Sequence, residues 1–379
     1  GYVNSPLRQR QPRAGGAETS WDDALRLTRT AIKRLADDLG GESIAWLGSS
    51  RASLEANFLL KKLAAENGSG QVVFECHPQR DRAARVWAAR RQLERVSQAD
   101  IRKSDFILLV GSDPLNEAPM LAAAIRQAVR NGAHVAVIDA RPVKLPFQAS
   151  HLVVLPEKIP ALLRAFNEQD SDGLERQELL FVDAVKRKLE LAERPVLVGG
   201  ADLLQAEGVH ALIDAAGMFP SKCGTFVHLP GPNSYGAAML AGEGPCFETV
   251  LDGILDGNIK GLICLESDPF HEYPDPARIQ AALSRLEVLV VMDYVSGEAV
   301  KRADIFLPMT APPEADGTFV NCEGQMQQFV AVMEPGEPIR VTGKGEHPPR
   351  TFRPDTPGAE PASAISVLST LLQDEHTLE

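Results

Sequence analysis

Cys76 and His77 close the apolar run VVFE and place a soft sulfur ligand beside a side chain that titrates near neutral pH. A metal-bound thiolate with a proton-transferring neighbour would use that pairing. The same pattern also describes a buried structural thiol followed by a loop histidine. Further along, small or acidic residues end each apolar run: Gly48-Ser49-Ser50, Gly111-Ser112-Asp113, Asp139-Ala140-Arg141, Gly199-Gly200 and Glu266-Ser267-Asp268. In open α/β sheets, N–H groups at the following helix start meet phosphates there, and a carboxylate accepts from a ribose or a guanine. Plain strand-to-helix turns use the same residues. In GPNSYGA, Asn233 lies between Gly231 and Gly236, which suits a tight turn against a flat heterocycle or a turn with no ligand.

Other chemistries find no support. The five cysteines, Cys76, Cys223, Cys246, Cys264 and Cys322, include no pair at two-residue spacing, so neither an iron-sulfur cluster nor a structural zinc is expected in this chain. Cys223, His228, Cys246 and His271 follow no ligand spacing. No GxGxxG, Walker or GxSxG motif occurs, which leaves no independent NAD or ATP site and no hydrolase signature. The acidic run ESDPFHEYPDP is stiffened by three prolines and reads as a solvated turn or interface loop rather than a catalytic dyad. With 39 basic against 51 acidic residues, a formal charge of −12 opposes nucleic-acid binding. The basic stretch from Arg80 to Arg95 is then a solvated or partner-facing helix face. No apolar run approaches the roughly 20 residues that span a bilayer, and no signal-peptide core is seen, so no membrane insertion is expected.

The elements that must position these residues are α/β units. Ser20 caps a helix whose first turn carries Asp22 and Asp23, and Gly40-Gly41 closes it. SIAWLGSS then runs as a buried strand into LEANFLLKKLAAENG. A second unit pairs FILLV and VAVI across an Ala-rich helix that ends at Asn131-Gly132, and two more start at PVLVGG and GLICLESD. Continuous apolar strands joined by helical crossovers predict parallel sheets, hence an α/β fold with at least two doubly wound sheets. From Glu334 onward the chain is rich in Pro and Gly until ISVLSTLLQ, which reads as a helix.

The segment Met292 to Phe329 carries a family resemblance. VLVVMDY, a helix bearing Glu298, Lys301 and Arg302, then ADIFLP and GTFVNCEGQMQQF resemble the molybdopterin-oxidoreductase superfamily, and within it the large iron-sulfur subunit of respiratory complex I, the NADH:quinone oxidoreductase. Turn signals at Asp316-Gly317 and Glu323-Gly324 predict positive φ at both glycines. The resemblance implies two interleaved, doubly wound domains like those of formate dehydrogenase and DMSO reductase. The expected division is a strap and helix at 1–39, one domain from 40–76 plus 193–310, an inserted domain at 77–192, a return hairpin at 311–333, and a tail at 334–379.

In that superfamily a bis-pterin guanine dinucleotide lies between two such domains. The matching loops here carry Gly111, Asp113, Asn116, Asp139, Arg141, Gly231, Asn233 and Gly236 as vestigial or working contacts. Cys76 falls near the place of the molybdenum or tungsten ligand, although Pro78-Gln79 replaces the Gly-Pro that follows it in formate dehydrogenases. The resemblance favours a scaffold without cofactor. Its [2Fe-2S] and [4Fe-4S] clusters would belong to a region upstream of an abruptly starting chain, and its partners would be peripheral-arm subunits on the cytoplasmic side of the bacterial inner membrane. The alternatives are a catalytic molybdenum or tungsten subunit using Cys76 and His77, with molybdopterin guanine dinucleotide, and a scaffold unconnected to redox work.

Overall fold

A computed structural model describes residues 3, 5–90, 95–166, 173–219, 223–335 and 360–373. In chain order its strands are β1 (Arg13–Ala14), β2 (Ala17–Glu18), β3 (Ile44–Leu47), β4 (Val72–Val73), β5 (Phe106–Val110), β6 (His134–Asp139) and β7 (Ser150–Val153). They continue with β8 (Pro195–Gly200), β9 (Gly224–His228), β10 (Gly261–Leu265), β11 (Val288–Asp293), β12 (Ile305–Pro308), β13 (Gly317–Val320) and β14 (Met326–Phe329). The chain divides into two compact units. The first takes Gly1–Pro78, Gly236–Val320 and Met326–Glu379; the second takes Gln79–Tyr235 and Asn321–Gln325.

The first unit is built on a seven-stranded sheet in the order β2-β1-β12-β11-β10-β3-β4, parallel from β12 to β4, with β1 antiparallel at the β12 side. Strands β3, β10 and β11 are buried along their whole length, as parallel strands covered on both faces must be. Alternation sorts their side chains to two cores. Trp46, Ile263, Leu265, Val290 and Met292 pack with the helices Trp21–Leu39, Leu54–Glu66 and Ala364–Leu372. Ala45, Leu47, Leu262, Cys264, Leu289 and Val291 pack with Phe247–Leu255 and Pro276–Leu283. Ser20 Oγ accepts from the N–H of Asp23, and Gly40, at φ +85, ends that helix.

The second unit holds a five-stranded parallel sheet, β7-β6-β5-β8-β9. The expected division differs here: 193–310 was to join 40–76, yet β8 and β9 extend the sheet of β5, with Phe106 beside Pro195 and Val196 beside Gly224. The physical reason is the exposed ladder of β5. With β6 and β7 on one side only, its other row of N–H and C=O groups would lie unpaired in a buried strand, and the apolar β8 fills that edge. Of the strands after β9, it is β10, β11 and β12 that join the sheet of β3 and β4.

The return hairpin forms as β13 paired with β14, antiparallel, with Gly317 opposite Phe329. Gly324 has φ +81, as its turn requires, whereas Gly317 does not have positive φ. Gly317 is needed for a different reason: a Cβ there would stand 2.6 Å from Ser53 Cβ and 2.8 Å from Phe329 Cζ. The Pro/Gly-rich part of the tail, 336–359, lies outside the described residues, as do 91–94 of the basic stretch. Among the described residues, no helix is long and apolar enough to cross a membrane.

Candidate functional site

In the second unit the chain runs from β5 to β6 and β7 on one side and from β8 to β9 on the other. The carboxyl ends of β5 and β8 therefore flank a topological switch point, where loops diverge and leave a crevice. Gly111 turns out of β5 at φ +58. Gly200 approaches it so closely that a Cβ would lie 2.2 Å from the Gly111 carbonyl oxygen and 2.9 Å from His228 Nε2. Any larger residue at position 200 would push the Gly111 backbone or the His228 ring out of place.

A chain of polar contacts fills this crevice. Ser112 Oγ lies 2.8 Å from His228 Nε2, and Glu117 Oε2 lies 3.5 Å from the same nitrogen. Arg141 Nη1 donates to Glu117 Oε1 at 2.8 Å, while Arg141 Nε and Nη2 donate to the two oxygens of Asp139 at 2.9 and 3.1 Å. The Arg141 backbone N–H adds a third bond to Asp139 Oδ1. Asn116 Nδ2 donates to Asp113 Oδ2 at 2.8 Å, and the Asp113 N–H donates to Glu117 Oε2. Burial pushes the His228 imidazole below its usual pKa, against the raising effect of the Glu117 and Asp202 carboxylates, so it is held neutral. The hydrogen bonds that Arg141 donates to Asp139 raise the Arg141 pKa and fix its charge.

Of the residues expected in the contact loops, Gly111, Asp113, Asn116, Asp139 and Arg141 lie at the carboxyl ends of β5 and β6. Glu117 and His228 join them without having been singled out for this crevice. Position was the signal that would have found His228, because it ends the apolar strand β9 as Asp139 ends β6. Asn233 is fully buried just beyond β9, and the Gly231 N–H donates to Ser234 Oγ at 2.9 Å. Gly236 sits inside the helix Ser234–Ala241.

The donor set fits a dinucleotide in part. Asp139, fully buried, already accepts three bonds from Arg141, so the carboxylate that a ribose or guanine would use is engaged. Asp113 Oδ1 is buried with no hydrogen-bond partner and remains open as an acceptor.

The metal position does not fit. Cys76, in the first unit, is fully buried in the core with Leu47, Val73, Phe247 and Leu251. Its sulfur lies 3.5 Å from Ser267 Oγ, whose proton goes to Glu272 Oε2 at 2.6 Å. Burial first, and then the nearby Glu272 carboxylate, push the thiol well above its usual pKa. A metal-binding sulfur must open onto a site that other ligands share, and this one is enclosed by apolar side chains. His77 is half-buried, and its backbone N–H donates to Glu75 Oε1 at 3.0 Å. Among the described residues, no group of three or more His, Cys, Asp or Glu side chains is arranged to hold a metal ion, and Cys223, His228, Cys246 and His271 do not form one.

Comparison with known proteins places this geometry in context. A family model described as molybdopterin oxidoreductase matches residues 8–339. The NADPH-Fe(3+) oxidoreductase subunit alpha of Geobacter sulfurreducens is 26% identical over 412 residues, covering 89% of this chain and 48% of that protein. The G subunit of the NADH-quinone oxidoreductase of Pseudomonas fluorescens is 29% identical over 376 residues, covering 88% and 40%. The chain therefore spans less than half the length of these relatives. Among solved structures, a chain of the formyltransferase/hydrolase complex from Methylorubrum extorquens with methylofuran superposes at TM-score 0.64 and 17% identity, covering 97% of this chain and 100% of that one. Acetylene hydratase from Pelobacter acetylenicus superposes at 0.64 and 14% identity, covering 98% and 62%. These two share the expected α/β fold with its parallel sheets.

Proposed function

Because the chain belongs to the molybdopterin oxidoreductase family, we propose that it is the metal-free scaffold portion of a large redox subunit of the NADH:quinone oxidoreductase type. The observation that carries this reading is Cys76, which the resemblance puts near the metal-ligand position of catalytic members and whose sulfur is packed into an apolar core. Electron relay from NADH toward quinone would then belong to cluster-bearing sequence upstream of this chain. The partners would be peripheral-arm subunits, holding the protein at the cytoplasmic face of a bacterial inner membrane. The similarity to an NADH-quinone oxidoreductase subunit and to an NADPH-linked subunit alpha supports a role within a multi-subunit, NAD(P)H-oxidising assembly.

Asp113 favours a second reading, in which the guanine dinucleotide is kept, because its buried Oδ1 awaits a donor. In a working molybdenum or tungsten subunit that group would supply the redox centre, and the Asp113 loop would hold its nucleotide end.

One measurement separates these readings: molybdenum, tungsten, iron and released pterin in the full-length protein, purified natively with its partners. The scaffold reading expects iron with neither pterin nor a second metal. Stoichiometric molybdenum or tungsten with pterin would overturn it, and pterin without metal would favour the retained dinucleotide.

A further inference from the structure

The first unit has its own switch point, and what lies there belongs to none of the chemistry above. From β3 the chain goes to β4 on one side, while β10, beside β3, leads to β11 and β12 on the other. The crevice at the carboxyl ends of these strands holds Arg51, Glu266 and Asp293, two buried carboxyls and one guanidinium. Arg51 Nη2 donates to Asp293 Oδ2 at 3.0 Å, and Arg51 Nη1 lies 3.4 Å from the Tyr294 hydroxyl. The Tyr294 N–H donates to Asp293 Oδ1 at 2.7 Å. Among the described residues, Arg51 forms its ion pair with Asp293 and not with Glu266. Glu266 sits at φ +50, a left-handed conformation that costs a residue with a side chain, and its N–H donates to Met292 O at 2.7 Å.

Beside these groups is a cavity of about 30 Å³ lined by Arg51, Glu266, Thr310 and Asp316, with Phe319 and Phe329 among its apolar walls. Thr310 is buried, at 7% exposure, and its Oγ1 has no hydrogen-bond partner; Arg51 Nε is likewise buried and unpartnered. A water molecule needs about 10–15 Å³ of such space and two to four polar partners. Both conditions are met. A cation would face the guanidinium.

We propose that this crevice is a proton-and-water site, in which one ordered water joins Thr310 Oγ1 to Arg51 and Glu266, and Glu266 carries the proton while Asp293 is ionised against Arg51. Burial raises the Asp293 carboxyl, but its ion pair with Arg51 and its bond from the Tyr294 N–H oppose that rise, which puts the shared proton on Glu266. With both carboxyls ionised, two buried groups and one guanidinium would leave one uncompensated negative charge, and Arg51 is already bound to Asp293. Burial first, and then the Asp293 anion, raise the Glu266 carboxyl to about 8, with Arg51 opposing. Glu272 and Tyr294 act on Arg51 from the neighbouring elements, and Asp316 lines the far side of the cavity.

The test is a carboxyl-carbon NMR titration of the intact 379-residue chain labelled at glutamate, with Glu266→Gln identifying the resonance by its disappearance. The expected result is a Glu266 signal in its protonated position at about pH 6 and a midpoint near 8. A midpoint in the ordinary glutamate range, about 4–5, overturns the proposal. Should Glu266→Gln fail to fold, the resonance whose midpoint shifts in Thr310→Val supplies the assignment, and a wild-type spectrum with every glutamate titrating in the ordinary range still rejects the idea. The water is read separately from a high-resolution crystal structure. Density within hydrogen-bonding distance of Thr310 Oγ1 is expected, and an empty cavity removes the water from the proposal.

Discussion

Cys76 Sγ lies 3.5 Å from Ser267 Oγ, across the core on one face of the first sheet, with the serine proton directed to Glu272. Burial and the Glu272 carboxylate outweigh the Ser267 contact, which favours the thiolate, and hold the thiol protonated. If the proposed scaffold role holds, Cys76→Ser leaves NADH:quinone turnover and metal content of the native assembly unchanged and costs about 1–3 kcal/mol of stability for burying a hydroxyl in place of the thiol. Denaturant unfolding and turnover of the purified complex check the two halves. Lost turnover in a variant that still assembles would return Cys76 to a metal-ligand role.

The two hairpin glycines should fail for different reasons. Gly317→Ala forces a Cβ against Ser53 and Phe329, and about 1–3 kcal/mol of overpacking is expected. Gly324→Ala meets only Arg95 and Tyr235 atoms at 3.4 Å but must adopt φ +81, worth about 1–2 kcal/mol. Asparagine tolerates that conformation, so Gly324→Asn should recover part of the loss, while Gly317→Asn should be worse than Gly317→Ala. Equal melting temperatures across the four variants would show that neither constraint operates.

His228 gives a prediction on the acid side. Its folded-state pKa lies below the unfolded value near 6.5, because burial disfavours the imidazolium. Below that unfolded value the unfolded chain binds a proton that the folded chain refuses. Stability from the neutral imidazole is present above about pH 6.5 and falls as pH drops toward the folded pKa. His228→Gln, which keeps a side-chain partner for Ser112, should flatten this part of the pH–stability curve. An unchanged slope between about pH 6.5 and 5 would mean that His228 is protonated in the folded protein.

Much of the fold was written in local pattern. Short apolar runs of strand length, separated by capped helices with glycine closures, are enough to require parallel strands covered on both faces, and β3, β5, β10 and β11 are of that kind. The strand-end rule likewise marked Asp113, Asp139 and Arg141 as residues at strand ends, without saying which ends meet. It gave no warning that Arg141 would occupy Asp139. That depends on a side chain folding back two residues, which the rule does not address.

The sequence by itself determined the α/β class, the strand ends and the positions where a ligand-binding turn was possible, because hydrophobic period, capping and glycine conformations are properties of neighbouring residues. Tertiary structure alone decided which sheet β8 and β9 enter, whether Cys76 faces a site or a core, and that Asp293 takes the arginine beside Glu266. Those outcomes rest on strand pairing, desolvation and charge balance among residues up to 242 positions apart. An apolar strand is compatible with many neighbours, and only the completed packing selects one.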